Sequence, residues 1–350
     1  MSTIKVNNIQ NANGTSAIAI DSSGVATFSK TLVPSSSMMY RNLIINGDMR
    51  IDQRNAGASV SSNNSYAVDR LRNVFTSGGS FTAQQSTTAP DNFTNSVVWT
   101  VGSAASATSS QVANMQYRLE GNTLYQLGLG TSAAKTMTLS FWVRSSVTGT
   151  YCAAFINSAA DRAYVAEYTI SSANTWEQKS ITLTGDTSGT WLTTNGIGLR
   201  IQFDLGSGSD YNATANTWVG ANDFRTTNQT DFINNAGATF YITGIQLEVG
   251  DTATPFEHRP YDMELARCQR YYQKSIQNGS TSYPSSGGYA RGMYLFPSQM
   301  RATPTMVFTN GGTGGSKIGD GIASDGFYVT YGSLTASQAG TYSWTASAEL

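Results

Sequence analysis

TMTLSFWVR, residues 136–144, sets Met137, Leu139, Phe141 and Val143 on one side and Thr138, Ser140, Trp142 and Arg144 on the other. Period-two alternation with one wet face is the pattern of a half-buried antiparallel strand. Working outward, LRIQFDL (199–205) repeats the rule, with Leu199, Ile201, Phe203 and Leu205 alternating with Arg200, Gln202 and Asp204. In FYITGIQLEV (240–249), Tyr241, Thr243, Ile245, Leu247 and Val249 are expected to share a face. SVVWTV (96–101), ANMQYRLE (113–120), GTYCAAFINS (149–158), AYVAEYTI (163–170) and WEQKSITLTG (176–185) add further strands. So many strands within 41–257 predict an all-β fold centred on a β-sandwich, most simply a jelly roll.

Composition agrees. Only 12% of the 350 residues are charged and 39% are hydrophobic. Ser, Thr, Asn, Gln and Gly supply the polarity, as short strands joined by polar turns require. The formal net charge is −1 and no basic cluster stands out, which argues against nucleic acid or an anionic membrane as a partner. A single histidine, His258, excludes most metal sites and catalytic triads, and it is read as a capping or interface residue at a strand–helix corner. Cys152 and Cys268 lack metal-ligand spacing and are read as two unpaired thiols, suited to a reducing cytoplasm. MSTIKVNNIQ shows no apolar signal-peptide core, and no run approaches the roughly 20 apolar residues of a membrane-spanning helix.

Four further segments frame the sandwich. Residues 1–33 read as three short strands whose Ile4, Val6, Ile9, Ile18 and Ile20 are too few for a core of their own, so they are expected to be buried against copies or partners. Residues 34–40 are a linker by composition. FEHRPYDMELARCQRYYQKSIQ (256–277) reads as one helix over 258–278, with Tyr261, Leu265, Cys268, Tyr272 and Ile276 as a stripe. That stripe either seeds a coiled coil or packs on its own sheet. On such a helix Tyr271 and Tyr272 lie about 100° apart and cannot share a core. Residues 279–350 read as a small C-terminal β domain, with GGTGGSKIGDG (311–321) as a glycine-rich hairpin tip. NLIINGDMRIDQRNAG (42–57) reads as the bend and first strand of the sandwich, with Met49 and Ile51 inward and Arg50 and Asp52 outward.

NLIINGDMRIDQRNAG, SYAVDRL and ITGIQLEVGDTATPFEHRPYDMELARCQRYYQK together resemble a recurrent block of bacteriophage tail-fibre and other virion-associated proteins, notably marine ones. The STIKVNNIQN start and the FPSQMRATPTMVFT…WTASAEL finish are also similar to such proteins. One departure is Leu71, where the family commonly has an aromatic after Asp-Arg. The resemblance implies a carbohydrate-binding-module-like jelly roll in a homotrimeric virion structural protein of the tail, synthesised in the host cytoplasm. It implies attachment to other virion proteins through the N-terminal arm and a host-surface polysaccharide as ligand. The alternatives are a collar, decoration or adaptor protein that binds no sugar, or a polysaccharide depolymerase.

Sugar sites pair aromatic faces with side chains that bond hydroxyls. The candidates are Trp142 on the polar face of its strand, and Tyr211, Trp218, Phe224, Asn212 and Arg225 in the long polar loop 207–235. The competing reading is that these aromatics pack under loops or neighbouring subunits. Asp204 with Asp210, or Asp223 with Asp231, offers paired carboxylates, but no spaced motif makes them catalytic. Asp204 and Asp210 also flank a flexible oxygen-rich loop that suits a structural Ca²⁺; otherwise no cofactor is expected.

Overall fold

A computed structural model describes residues 8–10, 16–20, 22–23, 26–28, 40–275, 279–282, 288–310, 316–334 and 339–350. The chain divides into two compact units, Met1–Arg41 and Asn42–Leu350. In the first, β1 (Asn8–Gln10), β2 (Ser16–Ile20) and β3 (Ala26–Phe28) pair antiparallel in that order. Ile9 and Ile18 are direct partners across β1 and β2, and Ile20 lies opposite Ala26 on β3. Ile4 and Val6 fall outside the described residues.

The second unit is dominated by two sheets. Its strands are β4 (Tyr66–Val68), β5 (Leu71–Phe75), β6 (Ser80–Ser86), β7 (Ser96–Ser103), β8 (Ala113–Glu120), β9 (Met137–Ser145), β10 (Gly149–Ile156), β11 (Ala163–Ile170), β12 (Glu177–Leu183), β13 (Ile197–Asp204), β14 (Trp218–Val219) and β15 (Thr239–Val249). A one-turn helix, α1 (Gly121–Leu124), follows β8. The seven-stranded sheet runs β14-β11-β10-β13-β8-β5-β4 and the five-stranded sheet β12-β9-β15-β7-β6. All pairings are antiparallel, and the result is a jelly-roll β-sandwich. Met137, Leu139, Phe141 and Val143 of β9 meet Leu199, Ile201 and Phe203 of β13 in one core, with the Phe141 and Phe203 rings edge-on at 5.1 Å. Each side chain buried in this way contributes about 1.5–3 kcal/mol.

The alternation read along β15 is corrected by a bulge. Gly244 takes φ +62° and the register shifts between Thr243 and Gln246. Phe240 and Ile242 therefore reach the core before the bulge, and Ile245 and Leu247 after it. Tyr241 lies on the opposite face, against Arg144 and Trp176.

Residues 42–57 form no strand, contrary to the expectation of one there. Their main-chain groups go to side chains and turns. Asn46 and Met49 adopt left-handed φ angles of 60° and 59°. The Asn46 side-chain amide donates to the Ile51 and Asp69 carbonyls, and its oxygen accepts from Ile51 N–H. Leu43 donates to the Leu247 carbonyl and Ile245 donates to the Gly47 carbonyl, so the segment runs beside the second half of β15. Met49 and Ile51 are buried; Arg50 and Asp52 are half-buried.

The helix read over 258–278 is a shorter element, α2 (Tyr261–Gln269). The chain then extends as β16 (Tyr272–Lys274). Because the helix stops, Tyr271 and Tyr272 are both buried, with the Arg70 guanidinium over the first ring at 3.5 Å and that of Arg54 over the second at 3.7 Å. Tyr272 is thus packed within its own chain, and Leu265 is half-buried. The inward face of α2 carries Glu264 and Cys268, and Tyr261 is exposed. Ile276 lies outside the described residues.

Beyond it run β17 (Gly279–Ser282), β18 (Gly288–Leu295), β19 (Thr305–Asn310), β20 (Ser316–Ile322), β21 (Gly326–Leu334) and β22 (Ala339–Ser347). β16, β17 and β19 each pair with β22, and β18-β21-β20 form a second sheet. Residues 311–315 of the expected hairpin tip are outside the described residues. The strands flanking them, β19 and β20, belong to different sheets, so they do not pair as a hairpin. Phe296, Met300, Phe327, Val329, Ala346 and Ala348 make a second, smaller core.

Candidate functional site: a polar groove on the outer face of the seven-stranded sheet

Residues of β13, β8 and β5 that point away from the core form three cross-strand rows. Arg200 is the direct partner of Arg118, Gln202 of Gln116, and Asp204 of Asn114. Arg72 stands opposite Gln116 on the other side, and Val74 opposite Asn114. On β10 and β11 the outward residues Cys152, Ala154, Ile156, Ala163 and Val165 form an apolar patch, with Glu167 beside it.

Loop 207–235 covers that apolar half. It contains a 3-10 turn (Ser209–Tyr211), β14, and a second 3-10 turn (Phe232–Asn234). Phe224 is 2% exposed over Cys152 and its neighbours, and Tyr211 stacks on it at 4.3 Å. The Tyr211 hydroxyl donates to the Ser110 carbonyl. The polar half stays open as a groove of about 200 Å³, floored by Asn114, Gln116, Arg118, Arg200, Gln202 and Arg72. Tyr211, Asn222 and Phe224 wall it on the loop side.

The floor holds unspent hydrogen-bonding capacity. Asn114 and Gln202 are 2% and 4% exposed, yet Asn114 Oδ1 and Gln202 Oε1 have no protein partner, nor has Asn222 Oδ1. An unpartnered buried acceptor costs about 1–3 kcal/mol, which water or a ligand hydroxyl offsets. Arg118 donates through Nε to Gln116 Oε1 at 2.6 Å. Burial, reinforced by Arg72 and Arg200, holds its guanidinium down at about 10, still charged at neutral pH. Burial also lowers Arg200, which donates to the Asn157 carbonyl at 2.8 Å.

Of the residues singled out by sequence, the structure brings Tyr211 and Phe224 to this groove. Phe224 is buried, so its ring is a wall rather than an exposed stacking platform. Asn212 and Arg225 bridge each other beside it; Asn212 Oδ1 is unpartnered, and Arg225 pairs with Asp231 at 3.3 Å. Trp218 is a loop anchor, donating to the Thr184 carbonyl and packed between Tyr164 and Trp191. Trp142 is half-buried in the other sheet, between Gln178 and Thr243 in register. Asp204 is fully buried and accepts from Gly206 and Ser207 N–H groups, whereas Asp210 is exposed and accepts from Ser109. Among the described residues no three His, Cys, Asp or Glu side chains cluster to hold a metal ion. His258 is exposed beside the Phe93 and Phe256 rings.

Sequence reasoning passed over Asn114, Gln116, Arg118, Gln202 and Arg72. The signal was available: alternation already marks the outward positions of ANMQYRLE and LRIQFDL as amides and arginines.

Fold and groove together define a jelly-roll β-sandwich protein with an open, arginine- and amide-lined outer face. No family model and no curated protein matches the chain. Among solved structures, it is similar to the enzymatically active domain of tailspike protein 4 of bacteriophage CBA120, at 14% identity and TM-score 0.30 over 60% of this chain. The match spans 22% of that tailspike chain. It is also similar to a family 11 carbohydrate-binding module of a Clostridium thermocellum cellulosomal cellulase, at 13% identity and TM-score 0.29, over 57% of this chain and 99% of the module. A third likeness is to a family 61 carbohydrate-binding module in complex with β-1,4-galactotriose, at 11% identity and TM-score 0.28, covering 60% and 99% of the two chains.

Proposed function

We propose that the chain is a glycan-recognising protein of a bacteriophage virion, acting in host-surface attachment within a fibre built from copies of itself. The observation that supports glycan recognition is the groove, where buried amide oxygens without partners lie next to guanidinium groups that donate hydrogen bonds. That is the complement of a sugar hydroxyl, which donates and accepts at once. The virion assignment rests on the sequence resemblance of the opening and closing blocks. Multivalent display in a fibre converts weak single-site contacts into avidity. The reading is adhesive rather than hydrolytic, because the groove is lined by no Asp or Glu and glycoside cleavage uses a carboxyl pair.

The full chain is to be titrated against an array of bacterial surface polysaccharides. Gln116→Ala and Gln202→Ala are each expected to weaken binding by about tenfold or more, a 1.4 kcal/mol effect. Trp142→Ala, on the other sheet, leaves binding unchanged. Binding to no polysaccharide, or binding indifferent to the groove variants, refutes the assignment. Light scattering is expected to give a trimer, and a monomer overturns the fibre. A second reading, an adaptor packed on other virion proteins, is favoured by the exposed Met293, Leu295 and Val307 of the C-terminal sheets. It predicts tight binding to another particle component and none to glycans.

A further inference from the structure

Resting on the glycan reading of this groove, we propose that its ligand is an acidic polysaccharide, whose carboxylate or sulfate seats among Arg118, Arg200 and Arg72. Three guanidinium groups line the groove and no Asp or Glu side chain does. Arg118 and Arg200 are direct partners on adjacent antiparallel strands, and Arg72 lies one row along, opposite Gln116. Like charges placed opposite each other in a sheet destabilise it. An anion bound between them relieves that repulsion.

Several arginines elsewhere in the same unit pair with carboxylates. Arg70 pairs with Glu349, Arg162 with Asp186 at 2.7 Å, and Arg259 with Glu264 at 3.2 Å. In the groove, Arg200 is held by the carbonyls of Asn157 and Ser158, and Arg72 by Asn64 Oδ1. Arg118 donates to Gln116 Oε1 and to a carboxylate oxygen of the terminal Leu350. The chain as a whole carries a formal charge of −1, so the positive groove is a local feature and not part of a basic surface. Burial and the neighbouring guanidinium groups lower Arg118. Guanidinium forks bind carboxylate and sulfate oxygens with charge-assisted hydrogen bonds, about twice as strong as neutral ones. The free acceptors Asn114 Oδ1, Gln202 Oε1 and Asn222 Oδ1 are left for the hydroxyls of the same residue or its neighbour.

The test compares the full chain against a uronate polymer, its carboxyl-reduced neutral counterpart, a sulfated galactan and the desulfated galactan. One acidic polymer is expected to bind at least about tenfold more tightly than its neutral partner, and which one does so identifies the anion. That preference should shrink as salt rises from about 0.05 to about 0.5 M. Arg200→Gln and Arg72→Gln are expected to abolish it while the thermal midpoint holds, and Arg118→Lys to retain part of it. Equal binding of acidic and neutral forms, both lost on Gln202→Ala, overturns the acidic ligand and leaves the glycan site standing. An acidic preference that survives Arg200→Gln and Arg72→Gln also overturns it, since the anion then sits elsewhere. Binding to none of the four nor to any polysaccharide on the array overturns both readings, and binding only to a neutral one overturns the acidic ligand alone.

Discussion

Gly47 packs backbone to backbone on Ile245: a Cβ added at the glycine would stand 2.1 Å from the Ile245 carbonyl oxygen. The contact is held by the Ile245 N–H, which donates to the Gly47 carbonyl at 2.9 Å. Here the opening segment takes the place beside β15 that β7 vacates after Ile242. Gly47→Ala cannot be accommodated by a side-chain rotation, because the obstacle is main chain. It is expected to cost about 1–3 kcal/mol, as overpacking does. A lowered thermal midpoint with unchanged glycan affinity is the predicted outcome; a wild-type midpoint would contradict the close approach.

Glu264 joins the two ends of the sandwich motif. Its carboxylate accepts from the Asn46 N–H and from Arg259, whose guanidinium also donates to the Ile44 and Asn42 carbonyls. Glu264 and Arg259 are 3% and 7% exposed. Glu264→Ala takes away one of the two carboxylates on Arg259, the other being Glu257 at 3.1 Å, and orphans the buried Asn46 N–H, so it is expected to cost about 1–3 kcal/mol. Asp262→Ala, exposed on the same helix, serves as the control in denaturant titrations. Equal midpoints for the two variants would refute the structural role of the buried pair.

This junction shows what the sequence could and could not disclose. The sandwich strands were legible because alternation is local: β8 and β11 begin and end where the pattern does. The segment 42–57 was not, because its regularity comes from partners more than 200 residues away, as in Asn42 N–H donating to Glu257. The face of β15 was misread at Gly244, since a single inserted residue reverses parity without altering composition. The helix was read as too long because helical spacing persists through Tyr271 and Tyr272, while β22 and the two arginines over their rings draw the chain into a strand. The groove was half legible. Outward polar positions follow from alternation, but which half of the sheet the loop leaves uncovered does not.

Two buried carboxyls predict a pH dependence of stability. Burial pushes Asp69 up to about 7 and Asp204 up to about 6. In the unfolded chain both ionise near pH 4. Between about pH 4 and 7 the folded state therefore holds protons that the unfolded state has released, and stability falls as pH rises through that window. Denaturation midpoints are expected to be higher at about pH 5 than at about pH 8. The double variant Asp69→Asn, Asp204→Asn should flatten the difference. A profile that rises toward pH 8 would show that these groups are ionised in the fold.

Cys152 reports on the loop that bounds the groove. Its thiol is buried beneath Phe224, 3.6 Å from Thr226 Oγ1, and burial pushes it up to about 12. Cys268 is fully buried on the inward face of α2, with its thiol raised for the same reason. Both cysteines are unpaired, so the native protein should react with an aromatic disulfide reagent only on unfolding. Phe224→Ala removes the lid over Cys152 alone. It is expected to destabilise the loop by about 3–5 kcal/mol, the usual cost of truncating a buried aromatic. Cys152 should then be labelled rapidly in otherwise folded protein while Cys268 remains protected, as peptide mapping would show. Simultaneous labelling of both would mean global opening, and no labelling of Cys152 would mean that another part of the loop closes this half of the sheet.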